Sequence, residues 1–213
     1  MFIEMIDLLR CVNDHQDSWL VASFRNVTNR FIVEGTLGCP VCSAEYEIRN
    51  GIADFSLGAA PIRSASPSLS ANAREELATR VGAFLNATEP GATIVLGGMW
   101  AEAAHELSMM TDSRVLALNP SEAIEESERV GLVRVGHKIP FAEGKVWGVA
   151  LDAGFSPEAI SAATRVVRPG GRVVGPGSIS APARVAVLAR DENHWVAEKP
   201  AETISLSRSK VSK

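Results

Sequence analysis

Thr93-Ile94-Val95-Leu96-Gly97-Gly98 is the stretch that decides the fold. Three β-branched residues and a leucine make a short strand apolar on both faces, and the glycine pair turns the chain sharply into the next element. Working outward, helix and strand alternate. A helix is expected over about 100–110, a strand over 114–118, a short helix over 121–128 and strands over 131–135 and 146–151. A helix over 156–167 leads through the turn Arg168-Pro169-Gly170-Gly171 into a strand over 172–174. A hairpin of 184–190 and 194–198 then turns at Asp191-Glu192-Asn193. Upstream, 70–85 reads as a helix with Ser70 as N-cap and Leu77, Val81, Phe84 and Leu85 on one face. Such an order specifies an α/β domain with a mostly parallel sheet covered on both faces and a C-terminal antiparallel hairpin. Ligands of these sheets bind beyond the carboxyl ends of the strands at the switch point, here the Gly97-Gly98 turn. A tight strand-to-helix turn accounts for the two glycines equally well.

The N-terminal quarter is built differently. Cys11 and His15, then Cys39-Pro40-Val41-Cys42, supply three thiolates and an imidazole and use every cysteine in the chain. Zinc takes four tetrahedral nitrogen or sulfur ligands, and a closed set of this kind is structural. Asp14 is a fallback oxygen ligand. The bland alternative is three buried small hydrophobes and a surface histidine. Around these residues the sequence alternates as strands do, over 18–24, 30–37 and 44–49, with 26–30 a turn-rich link and Asn50-Gly51 a closing turn. A module of ~55 residues buries too little to be secure alone, so a metal staple makes physical sense. Structural zinc contributes on the order of 10 kcal/mol of apparent binding energy in small modules.

The chain has 213 residues, 46% of them hydrophobic and 22% charged, enough for one full domain and a small one. A net charge of −4 gives no indication of nucleic acid as a partner. No apolar run approaches the ~20 residues of a membrane helix. The opening Met1-Phe2-Ile3-Glu4-Met5-Ile6-Asp7 has acids where a signal peptide has none, and cysteines in metal-type spacing point to a reducing interior, so the cytoplasm is expected. The small, prolyl and seryl composition of 57–70 reads as a linker, giving a ribbon module over 1–56, an α/β domain over 71–200 and a flexible tail over 201–213.

Two family resemblances lie in these segments. Leu8-Leu9-Arg10-Cys11, Leu37-Gly38-Cys39-Pro40-Val41-Cys42 and Glu45-Tyr46-Glu47-Ile48-Arg49-Asn50-Gly51-Ile52 resemble the zinc ribbon of the small activator subunits of RNA and protein methyltransferases, over about 7–56. This chain departs from that family at the first knuckle, where Cys11 and His15 replace the usual Cys-x-x-Cys. Ile139-Pro140-Phe141-Ala142-Glu143-Gly144-Lys145-Val146 and Arg165-Val166-Val167-Arg168-Pro169-Gly170-Gly171-Arg172-Val173-Val174 are similar to segments of S-adenosylmethionine-dependent methyltransferases, over about 72–200. That likeness implies a pared-down Rossmann-like methyltransferase fold. It also implies where a cofactor would sit: Gly97 and Gly98 in the first loop, and Asn119 at the end of the second strand.

The pattern departs from the family at those very places. Aligned on Val95, Leu96 stands for the family's acid, Gly98 for the first glycine, Trp100 for the second and Glu102 for the third. Asn119, with one acceptor oxygen and no charge, stands for the acid that holds the ribose hydroxyls. His137 and Lys138 lie where an acid would approach the adenine, and Trp147-Gly148 replaces a Phe-Asp pair. Trp100 at a position that needs bare backbone would fill the site, unless it is a core or interface aromatic. S-adenosylmethionine is therefore doubtful, and the expectation is a non-catalytic methyltransferase-like protein that binds another protein or itself. The alternative is an active enzyme with an atypical cofactor site. The triple change Leu96→Asp, Trp100→Gly, Asn119→Asp is expected to restore measurable affinity for S-adenosylmethionine if the surrounding backbone is that of the family. No catalytic residue is assigned: His105, His137 and His194 are scattered, and Asp152 after the fourth strand reads first as a loop or capping residue.

Overall fold

The computed structural model describes residues 1–58 and 69–201. Most of the expected linker and nearly all of the expected tail lie outside the described residues. The N-terminal part is a four-stranded antiparallel meander, β1 (Val21–Thr28), β2 (Phe31–Gly38), β3 (Glu45–Arg49) and β4 (Ile52–Phe55), preceded by a 3-10 turn over Ile3–Leu8. Asn50 and Gly51 join β3 to β4 at φ 49° and 77°, the paired left-handed backbone of a two-residue hairpin turn. β1 runs two residues beyond the 26 at which a link was expected to begin, and the turn falls at Asn29 and Arg30, both with positive φ. The pairing shifts register twice between Phe24 and Val27, so the irregular composition there marks bulges within a strand.

The remainder alternates as expected: α1 (Ala71–Leu85), β5 (Thr93–Gly97), α2 (Ala104–Thr111), β6 (Arg114–Leu118), β7 (Val130–Val135), β8 (Val146–Ala150), α3 (Pro157–Val166), β9 (Val167–Pro176), β10 (Ala186–Arg190) and β11 (His194–Glu198). The Ser70 and Ser156 hydroxyls accept from the Ala73 and Ala159 amides and cap α1 and α3. Two expectations fail. Residues 121–128 form turns and no helix, because among them Ile124 alone is buried and no apolar face exists to dock one. β9 is far longer than 172–174 and takes the Arg168-Pro169-Gly170-Gly171 segment into the strand, where Gly170 N–H donates to Lys199 O at 2.7 Å and Lys199 N–H to Gly171 O at 2.9 Å. The expected helix near 100–110 begins as a 3-10 turn over Gly98–Ala103 before becoming α2.

Among the described residues, eleven strands share one sheet, in the order β1-β2-β3-β4-β7-β6-β5-β8-β9-β11-β10. From β7 to β9 neighbours run parallel, and β11 and β10 close the far end antiparallel. This is a Rossmann-like parallel sheet with the ribbon meander added at its β7 edge: β4 pairs in parallel with β7, Ala53 against Val133 and Phe55 against Val135. α1 and α2 cover one face over Ile94, Leu96, Val115 and Ala117. α3 covers part of the other. Its remainder, over Val95, Leu116 and Val133, is covered by Met5 and Leu9 from the N-terminal segment. Gly131 makes room for that cover, since a Cβ there would overlap the Met5 sulfur. Backbone bonds seal the seam: Arg10 N–H donates to Pro140 O and Ala142 N–H to Leu8 O, at 2.8 and 2.9 Å.

Candidate metal centre

Cys11 follows the segment pinned to Pro140, and Cys39 directly follows β2, where Ser43 N–H donates back to Cys39 O at 2.9 Å to close the knuckle. These two elements bring Cys11, His15, Cys39 and Cys42 together, with all four ligand atoms within 4.8 Å of one another. His15 Nε2 lies 3.1 Å from Cys11 Sγ and 3.4 Å from Cys39 Sγ, and Cys11 Sγ lies 3.6 Å from Cys42 Sγ. Metal distances of ~2.3 Å to sulfur and ~2.0 Å to nitrogen, at tetrahedral angles, require ligand edges of about 3.5–3.8 Å. These three distances are within a few tenths of an ångström of that figure and all pairs lie within 4.8 Å, so the residues present fit a four-coordinate ion. Asp14 is outside the cluster, its carboxylate on Lys138 Nζ at 2.6 Å.

The surroundings prepare the ligands. His15 Nδ1 is 2.7 Å from Gln16 O, which assigns the ring proton to Nδ1 and leaves the Nε2 lone pair facing the sulfurs. The backbone N–H of Ala44 and then the Asn13 amide pull the Cys42 thiol down to about 6. Burial pushes the Cys11 thiol up, opposed by Tyr46 and the Asn13 N–H. Tyr46 Oη sits 3.0 Å from Cys11 Sγ and accepts from Val12 N–H at 3.2 Å, and burial first, then Cys11, raises the phenol. Beside the cluster a cleft of about 490 Å³ separates the 13–17 loop from Lys138, Glu143 and Arg165. It is spanned by the Asp14–Lys138 pair and by Asp17–Arg165 at 3.5 Å, both too exposed to stabilise much.

The crevice beyond β5 is occupied by the protein's own side chains. Gly98 adopts φ 67°, and a Cβ there would overlap the Asp152 carboxylate, whose Oδ2 accepts from Met99 N–H at 2.7 Å. A Cβ on Gly97 would come within 2.6 Å of the Phe155 ring. Trp100 is completely buried, 6.3 Å from Phe84 and 5.0 Å from His194 between ring centroids. Asn119, left-handed at φ 50°, is engaged at both ends of its amide: Oδ1 accepts from Val135 N–H at 2.8 Å and Nδ2 donates to Val135 O at 3.0 Å. It thereby mimics one more residue of β6 in the ladder with β7. Gly148 lies under Leu85, whose Cδ2 would be 3.1 Å from any Cβ, and Trp147 donates to Asn86 O at 3.1 Å. His105 contacts Glu125 O at 2.8 Å, and His137 is exposed. Tyr46 and Phe155 are contributors that the sequence alone does not single out. Tyr46 has a signal, a polar group at an inward position of an alternating strand.

Fold and cluster together define a Rossmann-like α/β protein carrying a Cys3His centre. No family model and no curated protein matches the chain. Among similar solved structures is the complex between the Haloferax volcanii Trm112 methyltransferase activator and a candidate methyltransferase, at 16% identity and TM-score 0.45, covering 60% of this chain and 91% of that one. A candidate S-adenosylmethionine-dependent methyltransferase of Methanococcus maripaludis gives 13% and 0.47, covering 62% and 87%. The [4+2]-cyclase SpnF gives 15% and 0.46, covering 61% and 63%. With TM-scores below 0.5 these likenesses add nothing about this chain's chemistry, which rests on its own side chains.

Proposed function

We propose that this protein is a non-catalytic member of the methyltransferase-like class, a zinc-stabilised scaffold that presents a surface to another protein or to a second copy of itself. The observation that carries the reading is the filled crevice. In a sheet of this topology the ligand belongs beyond the carboxyl ends of the central strands, and here Asp152 and Phe155 crowd Gly98 and Gly97 while Trp100 is buried against Phe84 and His194. The Asn119 amide, which would have to meet a ribose, is bonded to Val135 instead. Cys11, His15, Cys39 and Cys42 would hold one zinc ion, whose contribution is to cross-link the β2–β3 knuckle to the Cys11 segment. A ribbon over 1–56 and an α/β domain over 71–200 remain the proposed division of labour.

Calorimetry with S-adenosylmethionine and its demethylated product tests the reading. The expected result is no heat of binding at several hundred micromolar ligand. Binding in the low micromolar range would overturn it and favour an active methyltransferase with an atypical site, for which Trp100 and Asp152 must swing aside.

A further inference from the structure

Tyr46 is the only tyrosine in the chain, and its side chain is 1% exposed. It sits on β3 with Ile48 on the inward face, and its ring stacks on Phe55 of β4 at 4.4 Å between centroids and 26° between planes. Two polar neighbours reach its hydroxyl. An amide N–H can only donate, so Val12 N–H, at 3.2 Å, takes a lone pair of the oxygen. The single hydroxyl proton is then left for the other neighbour, Cys11 Sγ at 3.0 Å. Cys11 itself is 9% exposed, and the Asn13 N–H at 3.5 Å is a long hydrogen bond to its sulfur, so a donor from Tyr46 matters there. Cys42, by contrast, is exposed and has the Asn13 amide beside it at 3.3 Å.

Resting on the zinc reading above, we propose that Tyr46 is a positioning residue of the metal centre, donating its hydroxyl proton to the Cys11 thiolate. The donation fixes the Cys11 rotamer through a ring that is itself held by Phe55. It also draws charge off the sulfur and so lowers the energy of its lone pairs. Outer-shell donors of this kind typically change metal affinity by ~10–100-fold when removed.

The test uses the full chain. Tyr46→Phe keeps the ring and its stack and removes only the oxygen. Competition against a chromophoric chelator should show zinc held ~10–100-fold more weakly than by the unaltered protein. With cobalt(II) in place of zinc, the thiolate-to-metal charge-transfer band should move to lower energy, because a sulfur that has lost its donor is easier to ionise. Biosynthetic 3-fluorotyrosine enters at position 46 alone and makes a stronger donor, so the same band should move to higher energy. Opposite shifts from the two changes are the signature of a hydrogen bond; a packing role would not produce them. The fluorinated protein keeps the test open should Tyr46→Phe fail to fold. Unchanged zinc affinity and unchanged cobalt bands in the altered proteins would overturn the assignment while leaving the metal centre intact. If the unaltered protein takes up neither metal, the zinc reading itself fails and this proposal with it.

Discussion

Trp100 and Asn119, the two positions at which the resemblance leads one to expect a cofactor contact, are both part of the fold. Removing the fully buried Trp100 side chain leaves a cavity against Phe84 and His194. Trp100→Ala should destabilise the protein by ~3–5 kcal/mol in denaturant unfolding. Asn119→Asp turns a donor 3.0 Å from the Val135 carbonyl into a second acceptor facing it, at a cost of about 1–3 kcal/mol. Leu96 is fully buried among apolar neighbours, so an aspartate there would lack any partner. The triple change Leu96→Asp, Trp100→Gly, Asn119→Asp is therefore expected to unfold the protein and to restore no affinity, contrary to the expectation from the sequence. A soluble, folded triple variant with S-adenosylmethionine affinity in calorimetry would refute this account of the crevice.

Elements whose local chemistry sufficed were legible in the sequence: the β-branched strands, the Ser70 cap, and the Asn50-Gly51 turn all stand where read. The convergence of Cys11 and His15 with Cys39 and Cys42 was also legible, because the spacing within each pair is local. β4 was missed because Ile52-Ala53-Asp54-Phe55 comes after a turn with little pattern of its own and takes its parallel partner from β7. The 121–128 stretch reads as a helix from its glutamates, which count for little without an apolar face. Asp152 could not be placed over Gly98 from the sequence, since that contact joins loops more than fifty positions apart. The metal prediction belongs at this scale. Chelation should raise amide exchange in β1, β2 and β3 well before it does so in β5 and β6, because the former lean on the knuckle. His15→Ala should lower zinc affinity at least tenfold, and retention of full affinity would show that His15 is not a ligand. Such a result would return Asp14, now on Lys138, to consideration.

At the scale of the whole molecule, the ribbon meander covers the β7 edge and, with Met5 and Leu9, one face of the parallel sheet. Deleting 1–56 would bare a parallel strand and an apolar face together, so the 71–200 fragment is expected to aggregate where the full chain stays monodisperse in size-exclusion chromatography. A monomeric, cooperatively unfolding fragment would contradict that. No described helix is long and apolar enough to cross a membrane. The seam also sets an order of events at the ribosome. Ala53 pairs with Val133, 80 positions later, and Leu9 bridges Phe141, later still. At about 5–20 residues per second, the N-terminal strands wait roughly 4–16 s for β7 to be made. All four candidate ligands have been synthesised by position 42. During that interval an ion is the one cross-link this segment can acquire, so the supply of zinc during translation, more than in the finished protein, should govern how many chains reach the native state.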